Sequence, residues 1–228
     1  MVEQKNELIW IKFLSLLTRR TKCLTERLGS EYGGWTLCPI RLSTKTTVYS
    51  FGIGEDISFD LALIEKYGCR VFAFDPTPRS IQWLQRKNLP AQFKWFDIGI
   101  ADYNGKAKFF PPENTDFVSH TLLERSETEN KAITVQIFRL SNILRKLGHN
   151  RIDVLKMDIE GAEYKVITDM FSTNIRPNQI LVEFHHFFKN VSLLKTITAT
   201  ISLWLHGYRL LTLSPSSHEY SFIHKNVA

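Results

Sequence analysis

The chain has 228 residues, of which 43% are hydrophobic and 23% charged, enough apolar material for one large core and the wrong balance for a disordered chain. Its formal net charge of +6 is spread along the sequence; the one compact basic cluster, Arg19, Arg20 and Lys22, reads as solvated surface, which argues against DNA as a partner and disfavours RNA. Cys23, Cys38 and Cys69 form no C-x-x-C pair and three cannot all pair, so the expectation is free thiols in a reducing, cytoplasmic compartment and no zinc site built on cysteine.

Residues 1–30 look helical. The apolar run LIWIKFLSLL starts at Leu8, but Lys12 interrupts it, Glu3 and Glu7 precede it and TRRTK follows, so it lacks the charge pattern and cleavage site of a signal peptide. It is also too short to span a bilayer, and no other stretch is longer and as apolar. The expectation is an N-terminal helical extension over 1–45, packed on the domain or on a second copy as a homodimer contact, and a single main domain over 46–228.

From Thr46 the texture changes to strands alternating with helices. A short β-prone run at 48–51 leads into Gly52. Phe59, Leu61, Leu63, Ile64 and Tyr67 then recur at helical spacing, and Gly68 ends that helix. A strand at 70–74 stops at Asp75 and Pro76, a helix follows at 80–87, and a strand at 93–96. Segments 106–110 and 133–137 read as extended. A short helix covers 141–147, a buried strand 152–157, a helix 162–171, a strand 180–184 and a helix 192–206. Two terminal strands, YRLLTL and EYSFIH, flank a turn at Pro215. Such alternation predicts an α/β fold with βαβ units, a mostly parallel sheet, helices on both faces and a C-terminal antiparallel hairpin. Sheets of this kind bind ligands beyond the carboxyl ends of their strands, which is where functional residues are sought.

The first such loop is FGIGEDISFD. Gly52 and Gly54 permit a tight turn and close approach of backbone to a ligand, and the following helix offers free amides. Alone, two glycines after a strand are more often turn residues. The dinucleotide pattern is incomplete, because Ile57 stands where a third glycine belongs, and Glu55 and Asp56 would repel a pyrophosphate but not a sulfonium or an amino group. About 20 residues later Asp75 closes the second strand, where an acid accepts hydrogen bonds from ribose hydroxyls. The loop after the third strand, FDIGIAD, adds Asp97 and Ile98 near a nucleoside base. The expected cofactor-binding set is therefore Phe51, Gly52, Gly54, Glu55, Asp56, Asp75, Pro76, Asp97 and Ile98.

Five segments carry a family resemblance: VYSFGIGEDISFD, FDPTP, GIADYNG, LKMDIEGAEY and ILVEFHH, in that order from Val48 to His186, with DIEGAE the most specific. The chain resembles the FkbM-like methyltransferases, a branch of the class I S-adenosylmethionine-dependent enzymes. The resemblance implies a Rossmann-like, seven-stranded class I fold, contact of Gly52, Gly54 and Asp75 with S-adenosylmethionine, and O-methylation of a hydroxyl on a small molecule or sugar. One departure is that many class I enzymes carry an acid two positions before the first glycine, where this chain has Ser50; Glu55 or Asp56 is left to meet the methionine amino group.

Methyl transfer to a hydroxyl needs alignment of the acceptor and removal of its proton. Two strand ends supply candidates: Asp158 and Glu160 after the 152–157 strand, and Glu183 and His185 at the 180–184 strand. Glu163 reads as an ordinary acid at a helix start. His185 is a candidate base from its ordinary pKa, with His186 the alternative. Asp158, Glu183 and His185 could also gather round a divalent cation, although no ligand spacing demands one. The polar segment 111–131, with Ser119, His120 and Thr121, reads equally as a substrate loop or a surface insertion. Three rivals stand beside this reading. An NAD-dependent oxidoreductase is opposed by the incomplete glycine pattern and a catalytically silent partner subunit by the intact loop and Asp75; an RNA methyltransferase is slightly favoured by the basic pI of 9.2 but opposed by the lack of an N-P-P-Y-type motif and of an RNA-binding module.

Overall fold

A computed structural model describes residues 23–112, 120–123, 126–188 and 191–227. The chain opens with a hairpin, β1 (Glu26–Leu28) and β2 (Trp35–Leu37), followed by β3 (Thr47–Phe51), α1 (Ser58–Tyr67), β4 (Arg70–Phe74), α2 (Pro78–Gln85) and β5 (Phe93–Phe96). Next come β6 (Gly99–Ile100), β7 (Gly105–Phe109), β8 (Ile133–Phe138), α3 (Leu140–Leu147), β9 (Val154–Met157), α4 (Glu163–Ser172) and β10 (Gln179–Glu183). The last elements are α5 (Leu193–Leu205), β11 (Tyr208–Leu213) and β12 (Glu219–His224).

Seven strands form one sheet in the order β11-β12-β10-β9-β3-β4-β5. Only β12 runs against its neighbours, pairing antiparallel with both β10 and β11, while β10, β9, β3, β4 and β5 are mutually parallel. Every residue of β3 and β9 is buried, as expected of central strands covered on both faces. Alternate residues feed two cores. Tyr49, Phe51, Leu155, Met157, Ile180 and Val182 meet α3, α4 and α5 on one face; Val48, Val71, Ala73, Val154 and Leu181 meet α1, α2 and the β1–β2 hairpin on the other. The two extended segments expected near 106–110 and 133–137 pair with each other, and with β6 form a separate three-stranded sheet in the order β6-β8-β7.

The N-terminal extension differs from the helical reading. Residues 1–22, with the apolar run and the suggested dimer contact, lie outside the described residues, but Glu26–Leu28 and Trp35–Leu37 are strands. The hairpin is built into the domain: Leu28, Trp35 and Leu37 are buried in the second core, and the Gln179 side chain bonds both Cys38 N (2.9 Å) and Cys38 O (2.7 Å). The free-thiol reading is also overturned for two of the three cysteines. Cys23 and Cys38 form a disulfide with Cα atoms 6.0 Å apart. The hairpin register, Glu26 opposite Leu37, carries the residues just before β1 alongside those just after β2, within disulfide reach. The argument for a reducing, cytoplasmic compartment rested on those thiols and loses its basis; only Cys69 is free, and it is buried. No helix among the described residues is long and apolar enough to cross a membrane.

One buried charge in α1 opposes folding. Asp60 is 2% exposed, its Oδ1 has no hydrogen-bond partner, and burial pushes its carboxyl up to about 6 against the pull of Lys156. Between the ordinary carboxylate pKa and about 6 the folded chain binds more protons than the unfolded one, so stability falls as pH rises through that window and stays lower above it. Asp60→Asn is therefore expected to stabilise the protein by about 2 kcal/mol at pH 8 and by little at pH 4. Urea melts of the two proteins at both pH values check this, and an equal or lower midpoint for the variant at pH 8 would refute it.

Candidate active site

The loop after β3 can take its shape only with glycine at its first position. Gly52 has φ +71°, and a Cβ there would lie 1.6 Å from the carbonyl oxygen of Asp158, in the loop after the neighbouring strand β9. Gly54 has φ +54° but open space around its Cβ position. Its amide donates to Asp75 Oδ2 at 2.9 Å, so the acid that ends β4 fixes the glycine loop. Asp75 Oδ1 accepts from the Thr77 amide at 2.9 Å and from the Thr77 hydroxyl. Lys156, a lysine within the buried β9, donates from Nζ to the Gly52 carbonyl at 2.5 Å and lies 5.7 Å from the Trp35 ring centroid.

Both loop acids are engaged. Glu55 pairs with Arg79 through two contacts, Nε to Oε1 at 3.1 Å and Nη2 to Oε2 at 2.8 Å. Asp56 accepts from the Ser30 hydroxyl at 2.6 Å and the Ser58 amide at 2.7 Å. Burial would raise the Asp56 carboxyl, but these bonds outweigh it and hold the group below its ordinary value. Ser50, at the position of the missing family acid, is buried in β3 and its hydroxyl has no hydrogen-bond partner.

The second constellation gathers where β9 and β10 end. Glu163, expected to be a plain helix-start acid, is fully buried. Its Oε1 accepts from the amides of Ile159 (3.2 Å) and Gly161 (3.1 Å) and meets His185 Nδ1 at 2.9 Å. His185 is 2% exposed, and its Nε2 lies 3.6 Å from both Asp158 Oδ1 and Glu160 Oε2. Burial alone would lower its pKa, but Glu163, Glu160 and Asp158 override that and raise it to about 10. These carboxylates therefore favour the protonated ring of His185. Burial, reinforced by Glu163 and Asp75, raises the Asp158 carboxyl against the pull of Lys156 and His185. Burial and the neighbouring Asp158 likewise raise Glu183, while His185 pulls it down. Glu183 also faces Glu219 directly across the β10–β12 pair, an unfavourable like-charge pairing. Glu160 holds φ +56°, uncommon for a residue with a side chain, and its carbonyl accepts from the Thr121 hydroxyl at 2.5 Å.

The glycine loop with its two acids, Asp75, Lys156 and the Asp158–Glu160–Glu183–His185 group line one cavity of about 900 Å³. Of the expected cofactor residues, Phe51, Gly52, Gly54, Glu55, Asp56, Asp75 and Pro76 line it, whereas Asp97 and Ile98 do not; Asp97 is exposed, and that loop contributes Gly99 and Ile100 instead. Asp158, Glu160, Glu183 and His185 all line it. His186 points elsewhere, with Nδ1 3.3 Å from the Thr196 hydroxyl and its ring near His218. From the 111–131 segment, Pro112, His120 and Leu122 reach the cavity, and Ser119 lies outside the described residues. Sequence reasoning missed Glu31, Tyr32 and Trp35 from the hairpin, Lys156, Glu219 and the pair Phe187 and Phe188. Only Lys156 carried a legible signal, a charge inside an apolar strand.

The parallel sheet with one reversed strand, the glycine loop on its central strand and the acid ending the next define a Rossmann-like methyltransferase fold. The Methyltransferase FkbM domain model matches residues 49–210, and the chain belongs to that family. It is 26% identical over 188 residues to "Probable methyltransferase-like protein 24" of Rattus norvegicus, a match spanning 80% of this chain and 42% of the relative. It is 26% identical over 129 residues to "2-O-methyltransferase NoeI" of Sinorhizobium fredii, spanning 50% of this chain and 53% of the relative. The chain thus spans about half the length of the curated relatives it matches. Among solved structures, methyltransferase FkbM from Methylobacillus flagellatus KT aligns with TM-score 0.52 at 14% identity over 81% of this chain and 45% of that one, a likeness of fold.

Proposed function

We propose that the chain is an S-adenosylmethionine-dependent O-methyltransferase acting on a hydroxyl of a small molecule or sugar. The observation that carries this is the arrangement of two halves around one cavity: the Gly52–Gly54 loop clasped by Asp75 on one side, and Asp158, Glu183 and His185 on the other. The first half suits a nucleoside with hydroxyls for Asp75 and no pyrophosphate, since Glu55 and Asp56 stand where phosphates would sit. The second half suits a polar acceptor. A volume near 900 Å³ is at the upper end for ligand pockets and gives room for a cofactor together with a small acceptor. The similarity to NoeI, a 2-O-methyltransferase by name, supports oxygen as the methylated atom. In this reading the enzyme aligns the hydroxyl oxygen with the methyl carbon for in-line displacement at the sulfonium.

Calorimetric titration of the purified chain with S-adenosylhomocysteine, with NAD run alongside, tests the cofactor. Micromolar binding of the former and none of the latter is expected; preference for NAD, or no binding of S-adenosylhomocysteine, would sink the proposal. Methyl transfer to RNA in place of hydroxylated small molecules would replace the acceptor class and leave the cofactor standing.

A further inference from the structure

We infer that Asp158, Glu183 and His185 form a binding site for one divalent cation of the magnesium or manganese type, at the acceptor end of the cavity. The inference rests on the methyl-transfer reading only for the cation's role, not for its place. One oxygen of Asp158, one oxygen of Glu183 and one ring nitrogen of His185 all lie within 4.8 Å of one another. An ion placed between them would reach each donor after sub-ångström to ångström shifts of side chains, since such cations bind oxygen at about 2.0–2.6 Å.

A second, independent feature points the same way. His185 is held from behind by Glu163, which is fully buried and anchored by the Ile159 and Gly161 amides. That contact takes Nδ1 and leaves Nε2 toward Asp158 and Glu160. A buried carboxylate on the far ring nitrogen is the usual support of a metal-ligating histidine, because it fixes ring orientation and raises the basicity of the ligating nitrogen. The charge balance agrees. Asp158, Glu160, Glu183 and Glu219 share this wall of the cavity, and the ammonium of Lys156 is turned to the Gly52 carbonyl. A divalent ion adds positive charge to these four carboxylates beyond the pull of Lys156; His185 then binds as neutral imidazole and gives its proton to solvent.

Two carboxylates and one imidazole, all from one side, leave the remaining coordination positions open to water or to an acceptor hydroxyl. A hydroxyl bound there becomes more acidic and is fixed in orientation. Its oxygen forms the bond to the methyl carbon as the sulfur–methyl bond breaks; the sulfur keeps that electron pair and leaves as a neutral thioether, and the hydroxyl proton passes to water.

The test uses the full chain, stripped with chelator, desalted and titrated with manganese(II) chloride, with free manganese followed by electron paramagnetic resonance. One manganese ion per chain is expected. Asp158→Asn and Glu183→Gln, each checked by thermal melt, should weaken binding about ten-fold or more. The cation site is overturned if the wild-type chain binds no saturating manganese, or if both variants bind it as tightly as wild type. A parallel titration with S-adenosylhomocysteine separates the two readings. Manganese bound through these residues without nucleoside binding would keep the site and sink the methyltransferase reading, whereas nucleoside binding without manganese would do the reverse.

Discussion

Replacing Gly52 by alanine is expected to destabilise the protein by about 3 kcal/mol or more and to abolish binding in the cavity. Two effects add. The left-handed backbone at φ +71° costs a residue with a Cβ about 1–2 kcal/mol. The new Cβ would also stand 1.6 Å from the Asp158 carbonyl oxygen, a backbone atom that no rotamer change can move. Relief requires the β3 and β9 loops to separate, and those loops carry the cofactor half and the acidic half of the site. Gly54→Ala is the control. Its φ of +54° incurs a similar conformational cost, but nothing lies within 4 Å of its Cβ, so a loss of about 1 kcal/mol is expected. Denaturant melts of both variants, with S-adenosylhomocysteine titrations, measure the difference. Equal stability of the two variants would show that the contact between the loops is not what fixes glycine at position 52.

The contrast between those glycines marks where sequence reasoning stops. Short β-prone runs such as VYSF and VFAF between turn residues placed the strands of the main sheet, because burial on both faces removes the alternation of polar and apolar residues, and helical spacing placed the helices between them. Both loop glycines were legible as permissive residues, yet what sits against Gly52 belongs to the loop after β9, more than a hundred positions away. The same limit explains Glu163. Its place at a helix start suggested a dipole role, and only tertiary structure turns its Oε1 onto His185. His185 was legible as a candidate base from its ordinary pKa, but not the three carboxylates of the 158–163 segment that folding brings beside it and that raise that pKa. The hairpin was read as helix because 24–30 is too short to show either period, and its strands are stabilised by contacts with α1, β10 and the disulfide. Asp97 lies outside the cavity for another reason. The loop after β5 does reach the cavity, but it does so with Gly99 and Ile100, two residues later than the motif suggested.

Asp75→Ala is expected to weaken S-adenosylhomocysteine binding about 100-fold or more. In the free protein the carboxylate has three donors: the Gly54 amide on Oδ2, and the amide and hydroxyl of Thr77 on Oδ1. It therefore fixes the glycine loop before any ligand arrives, and a carboxylate has about four lone-pair positions, so acceptor capacity remains on Oδ2 for one ribose hydroxyl. Hydrogen bonds to a charged group are each worth about 1.5–3 kcal/mol, and removing the acid takes away those to the ligand together with the bond that holds Gly54. Asp75→Asn keeps one acceptor oxygen and should fall between wild type and alanine. Thr77→Val removes the hydroxyl bond to Asp75 together with the long contact from the Ser80 hydroxyl (3.4 Å) and should change binding by no more than a few-fold, which separates ribose recognition from general loosening of the loop. Calorimetry on the three variants, each with a melt to confirm folding, gives the order. If Asp75→Ala bound S-adenosylhomocysteine as tightly as wild type while remaining folded, the ligand would have to lie elsewhere than beside β4, and the nucleoside reading of this cavity would fail.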